Sequence, residues 1–305
     1  MTYYSNRRQF LQLSSALALS TLLPNSSLAG TAIQRPIPSS GELLPVIGMG
    51  SSRTFDVELN SETRRQLLEV LEVFFSSGGA LIDSSPMYGK SESVLGALHS
   101  QVSGSQSMFA ATKVWTEGRT EGIEQMQQSM QRMAVDTFDL IQVHNLVDWK
   151  TQLNTLSKWK EAGKVRYIGI TTSHKQKHSE VEAVMRNENI DFVQFSYNIE
   201  NRLAEERLLP LAQERGIATL INRPYQMGQL FTKSRGKPLP DLATELDCNS
   251  WGQFYLKFII AHPAVTCLIP ATAKAKHMRD NMAAGFGAVP SAAQREDMLK
   301  IYHSL

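Results

Sequence analysis

The sequence predicts an α/β protein, a (β/α)8 barrel forming a single domain with one extra C-terminal helix. Three observations predict it. Short β-branched runs alternate with helix-period segments eight times between residues 30 and 305. The strand runs are continuously apolar, as in Asp139-Leu140-Ile141-Gln142-Val143, which suits parallel strands covered on both faces. No low-complexity linker divides these 276 residues, a length inside the usual span of such a barrel. A doubly wound open sheet competes, but its Gly-x-Gly-x-x-Gly fingerprint is missing. Gly48-Met49-Gly50 continues to Arg53, where the third glycine would stand.

The elements follow in order. A strand near Leu44–Gly48 precedes a helix over about Ser61–Phe75. Ala80–Ser84 leads to a helix from Ser91, and Phe109–Val114 to one over about Gly122–Met133. Phe138–His144 leads to Trp149–Glu161, Tyr167–Thr171 to Lys177–Arg186, and Phe192–Tyr197 to Leu203–Arg215. Ala218–Asn222 leads, after a long insert, to Trp251–Ala261. Val265–Pro270 leads to Lys276–Ala284, and a last helix runs from about Ala292 to Tyr302. Eight strand–helix pairs of this kind make a TIM barrel.

Composition narrows the function. The 305 residues are 42% hydrophobic, enough for a sizeable core. Two cysteines exclude a disulfide-stapled scaffold and a Cys-rich zinc or iron–sulfur site, so no metal centre is expected. Lys+Arg number 31 and Asp+Glu 29, but two of the basic residues, Arg7 and Arg8, lie in residues 1–29, which hold no acid. The remainder is balanced at 29 against 29, and no Lys/Arg stripe marks a nucleic-acid surface.

Residues 1–29 look like an address rather than part of the fold. A polar start ends in Arg7-Arg8; an uncharged Leu/Ala/Ser-rich run covers Phe10 to Leu23; Pro24 and Ser26-Ser27-Leu28-Ala29 follow. Ser27 and Ala29 supply the small side chains that a signal peptidase requires. The run is too short and too Ser-rich for a comfortable membrane span. Ser5-Asn6-Arg7-Arg8-Gln9-Phe10-Leu11 resembles a twin-arginine export signal. The expectation is a signal over residues 1–29, a domain over residues 30–305, passage through the twin-arginine machinery already folded, and a bacterial periplasmic location. An uncut signal holding the chain at a membrane, or a plain basic tail, are the alternatives. An oxidising compartment permits a Cys248–Cys267 bridge; two buried free thiols are the other possibility.

In such barrels the chemistry sits at the C-terminal ends of the strands. Asp83 ends the second strand, Tyr88 follows in its loop, Lys113 ends the third strand and His144 the fourth. Gln194 lies inside the sixth strand and Asn222 ends the seventh. Singly, each has an ordinary alternative: Asp83 as a helix N-cap, Lys113 as a solvated charge, His144 as a hydrogen-bonded structural group, Tyr88 as a turn residue. Together they have a mechanism. A phenol with pKa about 10 is a poor acid. An ammonium beside it lowers that pKa, a carboxylate holds the ammonium charged, and an imidazole steers a carbonyl oxygen toward the phenol. Reduction of a carbonyl by hydride from a nicotinamide needs such an acid.

These residues resemble the aldo-keto reductases over nearly all of positions 44–285. Leu81-Ile82-Asp83-Ser84-Ser85-Pro86-Met87-Tyr88-Gly89-Lys90-Ser91-Glu92 resembles the family's Asp-plus-Tyr signature, Ala111-Thr112-Lys113-Val114 its lysine strand, and Asp139 to His144 its histidine strand. Gly163 to Gly169 is similar to its helix-to-strand connection, and Val193 to Asn198 to its sixth strand. The resemblance implies an NADP(H)-dependent oxidoreductase of small carbonyl substrates, Tyr88 being the acid, Lys113 and Asp83 tuning it, and His144 orienting the substrate.

The cofactor side departs from the family pattern. Thr171-Thr172 stand where Ser-Asn often holds the carboxamide, with Gln194 retained to share that role. Asn222-Arg223-Pro224 replaces a stacking aromatic, leaving Arg223 or Tyr225 to cover the ring. The family's phosphate-binding lysine falls at Ala271; Lys274 and Thr272, with the last barrel helix's N-terminus, are the substitutes, and Asn281 is assigned to the adenine. NADP is favoured over NAD, with NADH possible. The insert Gln226–Asn249 reads as a cofactor-covering lid through Met227-Gly228-Gln229-Leu230, or as a surface excursion. Met87, Trp115 and Phe55, with Trp149, form a candidate substrate wall, or ordinary packing.

Two other readings stand beside the reductase. One is an exported nicotinamide-nucleotide-binding redox sensor or partner protein with little turnover, motivated by the altered cofactor contacts. The other is an isomerase or aldolase using Lys113 as a Schiff base, which Asp83 disfavours because that chemistry needs a lysine without a fixed acid partner.

Overall fold

The computed structural model describes residues 31–305; the export-signal reading of residues 1–29 falls outside them. A hairpin opens the described chain: β1 (Gln34–Pro36) pairs antiparallel with β2 (Leu43–Pro45). Eight parallel strands follow in sequence order around one sheet: β3 (Met49–Gly50), β4 (Leu81–Asp83), β5 (Phe109–Val114), β6 (Phe138–His144), β7 (Val165–Thr171), β8 (Phe192–Ser196), β9 (Ala218–Asn222) and β10 (Cys267–Leu268). Bridges from Ile47 to Leu268 and from Gly50 to Ala271 join the first strand to the last, so the sheet closes into the expected barrel.

Strand parity divides the core in two. Inward residues Leu81, Phe109, Ala111, Leu140, Tyr167, Phe192, Leu220 and Cys267 form one apolar cluster inside the barrel. Their outward neighbours Ile82, Ala110, Ile141, Ile168, Val193, Ile221 and Leu268 pack under the helices. This alternation within apolar runs is what a sheet buried on both faces requires. Ile37 and Leu44, from the opening hairpin, join the inner cluster beside the first residues of the strands and plug that end.

The plug corrects the first predicted strand. Residues 43–45 belong to the hairpin, and the barrel strand starts only at Met49. Leu44 reaches the interior from below, and Pro45, with no amide, cannot donate to a central ladder. Most other strands lie within two residues of expectation; β10 is shorter, Cys267–Leu268 against Val265–Pro270.

The helices are α1 (Ser61–Ser76), α2 (Ser91–Leu98), α3 (Arg119–Met133), α4 (Trp149–Glu161), α5 (His178–Asn187), α6 (Leu208–Arg215), α7 (Leu230–Ser234), α8 (Asp241–Glu245), α9 (Trp251–Ile260), α10 (Ala275–Ala283) and the extra α11 (Ala292–Ser304). Caps fix several starts: the Asn60 side chain accepts from the Glu62 and Thr63 amides, and Ser291 forms a capping box with Gln294. The helix expected over Leu203–Arg215 is instead a 3-10 turn, Leu203–Glu205, followed by α6. Pro210 explains the break, because its missing amide and its ring are tolerated only in a first helical turn. The insert holds a 3-10 turn, Gln226–Gly228, then α7 and α8. Leu230, Ala243 and Leu246 are buried and anchor the insert to the core, while most of its other residues are exposed.

Both cysteines are free and buried. Cys267 lies inside the barrel and Cys248 in the outer core, which separates them. Burial pushes the Cys248 thiol up to about 11, leaving it protonated and unreactive at neutral pH.

Candidate active site

The ladder register assembles the site. Asp83 pairs with Ala111, Lys113 with Gln142, His144 with Thr171, Thr171 with Gln194, and Ser196 with Asn222. All the polar members share the inward parity of the apolar residues beneath them. The barrel interior is therefore greasy at the hairpin end and polar at the opposite mouth, where the strand-end residues meet.

Lys113 is fully buried. Its Nζ donates to Asp83 Oδ2 at 2.6 Å and to the Ser84 carbonyl at 2.6 Å. Asp83 Oδ1 accepts from Gln194 Nε2 at 3.1 Å and from Gln142 Nε2 at 3.3 Å. The carboxylate is thus satisfied on both oxygens, which a buried charge requires. Burial lowers the Lys113 pKa, yet Asp83 and Tyr88 outweigh it and raise it overall, so Lys113 stays an ammonium. Asp83 caps no helix: α2 starts at Ser91 with no side-chain cap bond.

Tyr88 stands over this pair, its ring centroid 5.0 Å from Lys113 Nζ. The expected fall in the phenol's pKa is not met. Burial raises it, and this outweighs the opposing pull of Lys113. The phenol therefore keeps its proton at neutral pH. Its loop is held by Gly89 at φ +55, where an added Cβ would lie 2.2 Å from Asp56 Oδ1. The neighbouring Glu92 is buried. It accepts from Thr112 at 2.6 Å and from Ser129 at 3.1 Å, tying α2 to β5 and α3.

His144 lies edge-on to Tyr88, with ring centroids 6.0 Å apart and an interplanar angle of 89°. Trp115 flanks it at 6.4 Å. Burial, with Lys113 and His174 nearby, lowers the imidazole to about 3. It is neutral at any physiological pH. Asn145 and Leu146 follow it at φ +52 and +59, left-handed values that cost energy without glycine and cluster at functional sites.

The other predicted residues divide. Gln194 Oε1 accepts from Thr171 at 3.0 Å and from Asn222 at 3.3 Å, so these three groups satisfy one another. Thr172 closes a local turn by accepting from the His174 amide at 3.1 Å. Arg223 Nη2 donates to Ser173 Oγ at 3.1 Å, and no acidic partner of Arg223 occurs among the described residues. Lys274 is exposed; its amide bonds Thr272 at 3.1 Å, and it precedes α10, whose start has no side-chain cap. Asn281 Oδ1 accepts from Tyr225 at 2.7 Å. Met87 and Trp115 are 40% and 42% exposed and border the mouth. Met227 is exposed at φ +56, and Gly228 has open space around it.

One assignment fails on burial: Phe55 is wholly buried in the outer core and offers no surface to a substrate, while Trp149 is partly buried and packs against that core. The Leu230 side chain is likewise buried, so only its backbone could meet a ligand. Gln142 and Ser85 were not anticipated. Gln142 has the inward parity that would have flagged it; Ser85 meets His144 across 59 residues, which no local pattern signals.

A model of the Aldo/keto reductase family matches residues 46–292. The chain belongs to that family. The aldo-keto reductase YhdN of Bacillus subtilis is 26% identical over 202 residues, covering 61% of this chain and 60% of YhdN, so the match spans about three-fifths of that relative. The methylglyoxal reductase YeaE of Escherichia coli is 24% identical over 258 residues, 82% of this chain and 89% of YeaE. Among solved structures, an aldo-keto reductase from Klebsiella pneumoniae in complex with NADPH superposes with a TM-score of 0.74 at 20% identity, covering 89% of this chain and 95% of that one. At that identity the likeness establishes the family's fold.

Proposed function

We propose that this family member is an NADP(H)-dependent oxidoreductase that reduces aldehydes or ketones by hydride transfer, with Tyr88 as general acid. One observation carries the reading: a protonated phenol stands over a buried, charged Lys113–Asp83 pair and beside a neutral imidazole at the barrel mouth. The Schiff-base alternative needs a neutral lysine, and the Asp83 contact at 2.6 Å opposes it.

The residues present fit an anionic dinucleotide on its phosphate side. Arg223 and Lys274 carry charges without acidic partners among the described residues, and the uncapped start of α10 offers free amides. Arg223, Thr272, Lys274 and Asn281 would hold the phosphates and adenine, with Met227-Gly228 and the Leu230 backbone alongside. Thr171, Thr172, Gln194 and Asn222 would meet the carboxamide after exchanging their present mutual bonds. The bound nicotinamide supplies the hydride. His144 donates to the carbonyl oxygen and orients it; Tyr88 gives that oxygen its proton as negative charge develops; Lys113 steadies the resulting phenolate; Asp83 keeps Lys113 charged and in place. Met87 and Trp115 form an apolar border suited to the non-reacting part of the substrate.

The test is NADPH consumption by the chain over a panel of small aldehydes, ketones and quinones, methylglyoxal included. Turnover supports the reading; tight NADPH binding with none across the panel favours the second reading, a nucleotide-binding sensor. The observation behind that second reading is the self-satisfied set of Thr171, Gln194 and Asn222. NADP is preferred to NAD through Lys274, and equal affinities in a titration would overturn the preference. We also propose twin-arginine export to a bacterial periplasm, with cofactor taken up before transport. A fusion carrying residues 1–35 that stays in the cytoplasm would sink that proposal.

A further inference from the structure

We propose that Ser85 is a positioning residue for the reaction: its hydroxyl fixes which nitrogen of His144 carries the ring proton. The proposal rests on the carbonyl-reductase reading above. Ser85 is fully buried, and its Oγ lies 3.1 Å from His144 Nδ1. The same oxygen accepts from the Met87 amide at 3.4 Å. A hydroxyl has one proton to give, and among the described residues Nδ1 is the acceptor within its reach.

Two arrangements are available to a neutral ring. With the proton on Nδ1, Ser85 Oγ would accept from both the ring and Met87, leaving its own buried proton without an acceptor. Leaving such a donor unmade is costly because Ser85 itself is fully buried. With the proton on Nε2, Ser85 donates to Nδ1, so the fully buried hydroxyl proton is used and the unpaired hydrogen is the ring's own N–H on the side of the mouth. The second arrangement wins. Nε2 has no protein partner among the described residues, so its N–H is free for a substrate oxygen.

The chemical consequence is specific. A carbonyl oxygen gaining negative charge is stabilised by an N–H and repelled by a ring lone pair. The wrong tautomer would place that lone pair at the mouth. An edge-on Tyr88 and a tilted Trp115 flank the ring, but ring contacts of this kind do not choose between tautomers. Ser85 makes the choice. The loop does not depend on its hydroxyl for shape, because the Tyr88 amide also bonds the Ser85 carbonyl at 3.0 Å.

The test reads the ring directly. Nitrogen-15 NMR of the wild-type chain should show His144 Nδ1 as an unprotonated acceptor and Nε2 as N–H. In Ser85→Ala the resonances should move toward a tautomer mixture, and kcat should fall about tenfold with NADPH affinity unchanged. Ser85→Thr, which keeps the hydroxyl, should restore both. A wild-type ring protonated on Nδ1, or a Ser85→Ala ring with unaltered resonances, overturns the assignment. Absence of turnover in the wild type would count against the reductase reading, while the ring resonances would still decide where the proton sits.

Discussion

At the residue scale, Lys113 and Asp83 depend on each other. Lys113→Met would leave a carboxylate buried against two amides with no cation, and breaking a buried pair from one side costs about 3–5 kcal/mol. The expected outcome is a matching loss of stability in urea unfolding, together with loss of turnover. His144 makes a second prediction. Its folded pKa, about 3, lies below the unfolded value of 6.5, so between those values the unfolded chain binds the extra proton. The shift therefore costs nothing in protonation above pH 6.5, and stability is lost as pH falls toward 3. His144→Gln should flatten that limb, by up to about 1.4 kcal/mol per pH unit. Unfolding midpoints measured between pH 7 and 4 check it, and parallel profiles would contradict it. The same residues show what a sequence reveals at this scale. Asp83, Lys113 and His144 were legible because each is a polar residue ending an apolar run. Gln142 lies inside such a run and shows itself only through its inward parity, and Ser85 acts through a partner that only folding brings near. Phe55 misled because nearness in sequence to the mouth says nothing about which way a ring points.

At the scale of elements, period-2 parity does most of the positioning. It sets Asp83, Lys113, His144, Thr171, Gln194 and Asn222 on the inner face, and the register levels them at one mouth. Gly169 shows how tightly that ladder is drawn: an added Cβ would lie 2.4 Å from the Phe192 carbonyl oxygen. Gly169→Ala must push β8 away from β7, and since Gln194 rides on β8, both stability and activity should fall. A thermal scan with the kinetic assay checks this; a fully active, equally stable variant would contradict it. Strands with long runs were legible almost to the residue, as β5, β6 and β9 show. The first strand was not, because Leu44 has the apolarity of a barrel residue but serves the plug. The split before α6 was written in Pro210, a local signal that helical periodicity alone overrides.

At the scale of the molecule, one closed sheet makes a floor and a mouth from the same strands. The hairpin fills the floor with Ile37 and Leu44, so among the described residues the polar mouth is the end where the functional side chains meet a ligand. Leu44→Asp would drive a charge into the inner cluster; destabilisation in urea is expected with little change in NADPH affinity, since the two ends share no side chains. The fold class was legible as a whole because eight alternations and an absent fingerprint admit few architectures. Closure was expected from that count, but its register was not legible, since it rests on the Ile47–Leu268 and Gly50–Ala271 bridges between segments more than 200 residues apart. The central claim is that Tyr88 delivers the proton. The most direct measurement is single-turnover oxidation of pre-bound NADPH by a substrate aldehyde in Tyr88→Phe and wild type, with NADPH binding followed by fluorescence. The account predicts equal binding and a rate lowered by at least about a hundredfold in the variant. Equal binding with an unchanged rate would contradict it and take the acid role away from Tyr88.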